Sequence, residues 1–270
     1  MRRTPVLRSP ALDAWAGATL FVKAEHHQHA GAFKYRGASN AVWSLSSDDA
    51  SRGVAAHSSG NHAAALARAA HERGIAAYVV MPEDTTAFKS DAVARYGAEI
   101  VWCAATLASR RAVLAEVLAR TGASEIHPFD DPRVIAGAGT AALELCEDVP
   151  GLDVIVTPIG GGGLCAGTSV AVSPVRVIGG QPVDRTSTMA DGLRTGTSAR
   201  TETILGDHAV ERVLVGEDAI ADAMRAVRER LNEVVEPSAA VAFAAARLSR
   251  LDGLRVGIIC SGGNLAVSTP

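Results

Sequence analysis

Three segments of the sequence combine residue types and spacing that can do chemistry. Gly160 to Gly163 follow the apolar run Val154 to Ile159 and open a small-residue helix predicted over Leu164 to Val172. A glycine turn at a helix start presents bare main-chain N–H groups with the positive end of the helix behind them, a receptor for an anion such as phosphate. The turn lacks the Gly-Lys-Ser/Thr ending of a nucleotide loop and the separated glycines of a dinucleotide fingerprint, so the phosphate need not belong to a nucleotide. The plainer reading is a tight strand-to-helix turn that binds nothing. Lys34 is one of three lysines, with Lys23 and Lys89, in a chain that fills its other basic positions with arginine. It opens a helix after Gly31-Ala32-Phe33 with Arg36 close by. Desolvation and a neighbouring cation both lower an amine's pKa, as a Schiff-base lysine requires. An ordinary first-turn lysine is the alternative. Ser58-Ser59-Gly60-Asn61-His62 joins a strand to a helix and offers hydroxyls, an amide and exposed N–H groups to a carboxylate, or else is a simple helix cap. Cys260-Ser261-Gly262-Gly263-Asn264 follows the last predicted strand, where a serine hydroxyl can meet a heterocyclic nitrogen.

These segments are positioned by an alternation of strands and helices. Strands are predicted at Thr19 to Lys23, Gly53 to His57, Ala76 to Met81, Glu99 to Cys103, Val154 to Ile159, Val175 to Gly180 and Arg255 to Cys260. Helices are predicted at Phe33 to Leu45, Asn61 to Arg73, Thr86 to Tyr96, Leu107 to Thr121, Val134 to Cys146, Asp218 to Leu231 and Ser238 to Leu251. The pattern is that of an α/β protein with parallel, helix-covered sheets, whose working loops lie beyond the carboxyl ends of the strands. Gln181 to Gly206, rich in Thr, Ser and Gly, is the least regular stretch and is expected to form a mobile surface loop.

Composition narrows the function classes. A net charge of -3 offers no basic field for nucleic acid, and the apolar runs are too short to cross a bilayer. No apolar stretch typical of a signal peptide follows the N-terminal arginines, so a cytoplasmic protein is expected. The four cysteines, Cys103, Cys146, Cys165 and Cys260, form no CxxC pair and are expected to be buried small hydrophobes. His26, His27 and His29 look like metal ligands, but an extended segment would turn His27 away from the other two, and no metal site is expected there.

Taken together, Lys34, the SSGNH loop, the four glycines and the SGGN segment resemble the fold type II family of pyridoxal-phosphate enzymes, in the branch of serine/threonine dehydratases and serine racemases. Arg3 to Leu7, Gly31 to Ala38, Ile135 to Thr140, Ala190-Asp191-Gly192 and Glu236-Pro237-Ser238-Ala239 extend the likeness over nearly the whole chain. The resemblance implies a tryptophan synthase beta-like fold. Its large domain would be residues 1–52 and 131–270, its small inserted domain 53–130, with the cofactor in the cleft. It implies that Lys34 bonds pyridoxal 5'-phosphate and acts as base, while Gly160, Gly161, Gly162, Gly163 and Leu164 hold the phosphate. Phe33 would pack on the ring, Asn61 would meet its phenolic oxygen, Ser261 its nitrogen, and Glu236 would belong to the cofactor-binding set. Ser58, Ser59, Asn61 and His62 would bind the substrate carboxylate, and Ser59 is the second acid/base in the family's racemases. The implied reaction is dehydration of a beta-hydroxy amino acid such as L-threonine or L-serine, with serine racemisation and hydroxyaspartate dehydration as alternatives. A homodimer is the family's expectation. Outside the family, a nucleotide-dependent oxidoreductase fits the strand-helix alternation but lacks the fingerprint, and a weakly active pyridoxal-phosphate-binding protein is the remaining reading.

Two departures from the family pattern stand out. Where cation-dependent members carry an acidic residue before a proline, this chain reads Gln181-Pro182-Val183-Asp184-Arg185. An amide beside an arginine suits a hard cation poorly, so Arg185 is expected to replace the metal's charge. The segment between Ser187 and Asp191 is also short. Residues 127–132, with Phe129, are expected to face the substrate's beta substituent, and no match to the regulatory domain of some threonine dehydratases is found.

Overall fold

The computed structural model describes residues 1–265. In chain order its elements are β1 (Val6–Leu7), α1 (Pro10–Ala16), β2 (Thr19–Ala24), α2 (Lys34–Trp43), α3 (Ser47–Ser51), β3 (Val54–His57), α4 (Asn61–Arg73) and β4 (Ala77–Pro82). There follow α5 (Ala87–Ala94), β5 (Glu99–Cys103), α6 (Leu107–Thr121), β6 (Ser124–Glu125), α7 (Pro132–Asp148), β7 (Val154–Pro158), α8 (Gly163–Val172) and β8 (Arg176–Pro182). The chain closes with α9 (Ala199–Asp207), β9 (Glu211–Val215), α10 (Glu217–Leu231), α11 (Pro237–Leu248) and β10 (Arg255–Cys260). It divides into two compact units, one of residues 34–137 with Met1, the other of residues 2–33 and the chain from 138 onward.

The first unit holds a parallel sheet in the order β5-β4-β3-β6. The two-residue period of a strand divides its core into two layers. Val79 and Met81 pack with Ala63 and Ala67 of α4 and Val93 of α5, whereas Val80 packs with Ala55, Leu114 and Val117 on the α6 side. Both faces are covered, which is why the strand reads as a continuous apolar run.

The second unit holds a sheet ordered β1-β2-β10-β7-β8-β9, parallel except for the short β1 edge. Alternate residues of its central strands, among them Val154, Val156, Val256 and Ile258, share a core with α1, α10 and α11. Residues Ser238–Ala246 of α11 are all buried, and their small side chains let the helix approach the sheet closely: a Cβ on Gly180 would lie 2.7 Å from that of Ala245. Because β10 and β7 are adjacent and parallel, the SGGN segment and the glycine turn leave the same sheet edge.

Between β1 and β2 the chain forms α1, where Ser9 is the cap, Pro10 stands in the first turn and Gly17 ends the helix at φ 75°. Two local expectations are corrected. His26 and His27 are not in an extended segment but in a 3-10 turn over Glu25–His27, which brings both imidazoles to one carboxylate. Within 181–206 lie the 3-10 turn Asp191–Leu193, with Leu193 buried, and the capped helix α9, whose Ser198 and Thr201 form a reciprocal capping box. These two hydroxyls, which read as loop residues, cap a helix. Among the described residues, Cys103, Cys165 and Cys260 are buried, Cys146 is half-buried, and all four are free thiols. No described helix is long and apolar enough to cross a membrane.

Candidate active site

In the first unit the centre is Lys34, the first residue of α2. Its Nζ donates to the Pro128 carbonyl at 2.6 Å. The same loop is anchored one turn earlier, where Ile126 O accepts from His62 Nε2 at 2.8 Å. That bond fixes the His62 proton on Nε2 and leaves Nδ1 as a bare lone pair, buried and without a partner. Burial, reinforced by the charge of Lys34, pulls the His62 imidazole down to about 3. His57 and His127 are held below the ordinary histidine value as well, in both cases chiefly by burial. Lys34 thus stands beside neutral imidazoles, with His127 edge-on to Phe129 at 4.7 Å between ring centroids.

The SSGNH loop leaves the carboxyl end of β3 and enters α4. Ser58 Oγ accepts from the Gly60 amide at 3.3 Å, and Ala63 N–H reaches Gly60 O at 3.0 Å, so the Asn61 and His62 amides lie in the helix's open first turn. Ser58, Ser59 and Asn61 are half-buried. The neutral His62 ring has no N–H left to offer an anion. Its main-chain amide, in the open first turn of α4, is the donor that remains.

In the second unit the glycine turn is built against two neighbours. A Cβ on Gly160 would meet Gly192 O at 3.0 Å, and one on Gly162, where φ is 89°, would lie 2.8 Å from Thr201 Oγ1. Thr201 donates to Gly161 O at 2.9 Å, and Gly192 N–H donates to Ser238 Oγ at 3.1 Å. The first helical bond of α8 runs from Ala166 N–H to Gly162 O, so the amides of Gly163, Leu164 and Cys165 have no helical acceptor. No side chain caps this end, and every residue from Gly160 to Cys165 is buried. Burial pushes the Cys165 thiol up to about 12, which keeps it uncharged beside the turn.

The SGGN segment is tied to the residues leading to Lys34. Phe33 N–H donates to Ser261 O at 2.9 Å, Gly263 N–H to Gly31 O at 3.0 Å, and Asn264 Nδ2 to Ala30 O at 2.8 Å. Gly31, at φ 70°, cannot be replaced without moving Asn264, whose Oδ1 lies 2.2 Å from the position of its missing Cβ. Ser261 is buried, and Glu236 N–H bonds Gly262 O at 3.1 Å with the Glu236 carboxylate against Gly262.

A family model described as pyridoxal-phosphate dependent enzyme matches residues 1–262. The chain belongs to that family. The chain is 42% identical to a serine racemase of Oryza sativa subsp. indica, over 98% of this chain and 86% of the relative. It is also 42% identical to a beta-hydroxyaspartate dehydratase of Paracoccus denitrificans, over 98% and 91%. The solved structure of maize serine racemase superposes with a TM-score of 0.95 at 40% identity, covering 98% of this chain and 89% of that one. The fold is therefore that of the fold type II enzymes, and the cofactor of this enzyme is pyridoxal phosphate. Its residues fit that group: the α8 start is a buried, uncapped set of N–H donors that calls for an anion, with glycines where any Cβ would intrude.

Sequence reasoning passed over Thr201 and the Pro128 carbonyl as parts of these sites. Thr201 carries no signal beyond a cap pattern, and a carbonyl has no residue type to read. Of the other lysines, Lys23 is fully buried on Thr4 O at 2.7 Å and on Glu144 at 2.8 Å, a structural role. Arg185 Nη2 donates to Gln181 Oε1 at 2.6 Å, while Asp184 is spent on Thr186 and Ser187, which hold its carboxyl down to about 2.

Proposed function

We propose that the enzyme dehydrates a beta-hydroxy amino acid such as L-threonine or L-serine, giving a 2-oxo acid and ammonia. The observation that carries this reading is Lys34: an amine whose Nζ donates to the Pro128 carbonyl, beside imidazoles that burial disfavours in the protonated form. Bound pyridoxal phosphate supplies the electron sink that acidifies the substrate's alpha C–H bond. Lys34 would hold the cofactor through its amine, and its Nζ would take the substrate's alpha proton. The amides of Gly160 to Gly163 and Leu164 would hold the phosphate, Phe33 and Asn61 would line the ring, and Glu236 would support the Ser261-Gly262 segment. Ser261 would offer the ring nitrogen a neutral hydroxyl, a setting that suits departure of a beta substituent. Ser58, Ser59, Asn61 and the His62 main-chain amide orient the carboxylate, and residues 127–132 meet the beta substituent. We further assign residues 53–130 to the small domain, and a cytoplasmic homodimer as the working form.

A second reading is racemisation, favoured by the half-buried Ser59 at the mouth of α4 and by the serine racemase relatives. Hydroxyaspartate is a third substrate of the same chemistry, favoured by the Paracoccus relative's name. Incubation of the cofactor-loaded enzyme with L-threonine, L-serine or 3-hydroxyaspartate should release 2-oxobutanoate, pyruvate or oxaloacetate, at a rate unchanged by added Mg2+ because Arg185 occupies Gln181. Absence of all three keto acids defeats the dehydratase reading, and chiral analysis of recovered serine tests the racemase.

A further inference from the structure

His26, His27 and Glu233 lie outside every role assigned above. The 3-10 turn over Glu25–His27 stacks the two imidazoles with centroids 4.1 Å apart. Their Nε2 atoms lie 2.9 and 3.0 Å from the same oxygen, Glu233 Oε2. Among the described residues, this is the one group of three or more His, Cys, Asp or Glu side chains whose ligand atoms converge closely enough to share a metal ion. In a tetrahedral zinc site with metal–ligand distances of about 2.0–2.1 Å, neighbouring ligand atoms are about 3.3 Å apart. The two N···O separations therefore need to widen by only a few tenths of an ångström to admit an ion.

We propose that His26, His27 and Glu233 form a binding site for a borderline divalent cation of the zinc type. Two imidazole nitrogens and one carboxylate oxygen suit such an ion, whereas Mg2+ and Ca2+ require oxygen ligands. The His26 side chain is only 4% exposed, so an ion bound to it would be shielded from solvent on that side. His27, at 38% exposed, leaves a path for the ion and room for a water as fourth ligand. Ligation through Nε2 moves the His26 proton to the buried, unpartnered Nδ1 and replaces the Nε2–H···Glu233 hydrogen bond with the bonds of both groups to the ion. The site also lies against the SGGN segment: a Cβ on Gly263 would sit 3.0 Å from His26 Cβ and 3.1 Å from Val234 O. An ion there clamps the turn before Lys34 to the segment before Glu236, and with it the loop after β10.

Calorimetric titration of the cofactor-loaded protein with Zn2+ should show one site per chain, and Co2+ in its place should give the visible bands of a tetrahedral centre. His27→Ala and Glu233→Gln should each weaken binding at least tenfold, and both should abolish the Co2+ bands. Glu233→Gln keeps the shape of the side chain, so a failure of His27→Ala to fold leaves the test intact. Cys146→Ser, which alters the half-buried thiol, should leave binding unchanged. Wild-type protein that takes up no Zn2+, or binding that survives both ligand substitutions, overturns the site.

Discussion

The lysine region and the glycine region reach chemical competence by opposite means. Around Lys34 the working atoms belong to side chains, and their properties come from burial: His62 falls to about 3 and His57 and His127 shift the same way. Around Gly160 to Gly163 the candidate atoms are main-chain amides, fixed by what the glycines lack and by Thr201 and Gly192 packed where side chains would stand. The first region can be retuned by changing charge or size nearby. The second fails as soon as a methyl group enters it.

The contrast sets an order of effects. Lys34→Ala should lower keto-acid release by about a thousandfold or more, since a positioned acid/base group contributes about 10²–10⁴-fold by itself. Its unfolding midpoint in urea should move far less, because Lys34 is half-buried and a carbonyl bond such as that to Pro128 O contributes modestly. Gly162→Ala should act on the other side of the comparison. Forcing alanine to φ 89° costs about 1–2 kcal/mol, and the methyl group also meets Thr201 at 2.8 Å. Equilibrium dialysis should therefore show weaker pyridoxal-phosphate binding together with a lower urea midpoint. Unimpaired cofactor binding by this variant would remove the phosphate role from the turn.

The last effect vanishes near neutral pH and grows with acid. His62 binds no proton in the folded protein until about pH 3, whereas the unfolded chain takes one near pH 6.5. Between those values the unfolded state holds more protons, so stability falls as pH is lowered from about 6.5 toward 3. Urea titrations across that window should show a shallower decline for His62→Gln than for wild type. An unchanged slope would mean that the ring is not buried in its neutral form.

Much of this architecture was legible in the sequence because parallel strands covered on both faces are continuously apolar, and helices between them keep their period. The strands from β2 to β5, β7, β8 and β10 lie where the apolar runs place them, and α8 starts one residue before its predicted first residue. What escaped was structure whose cause is tertiary. The α9 segment reads as loop because Ser198 and Thr201 favour turns, yet in the fold they cap a helix that holds the glycine turn. Strand β9 begins with the charged Glu211 and Arg212, which leaves only Val213 to Val215 as an apolar run, too short to read as a strand. The same limit hid the histidine pair: alternation along an extended chain was the natural geometry for His26 and His27, and only the 3-10 turn reverses it. His62 was legible as a residue at the right loop, but the direction of its proton depended on the Ile126 carbonyl, which the sequence does not advertise.

The stitching of Gly31, Ala32 and Phe33 to Ser261, Gly262 and Gly263 joins residues about 230 positions apart. A chain emerging from the ribosome N-terminus first must therefore carry the approach to its lysine without a partner until almost everything else has been made. Such distant pairing is slow to close. The segment that leads into Lys34 is thus among the last to be secured, and a partly synthesised chain has the lysine but not the backbone that holds its approach in place.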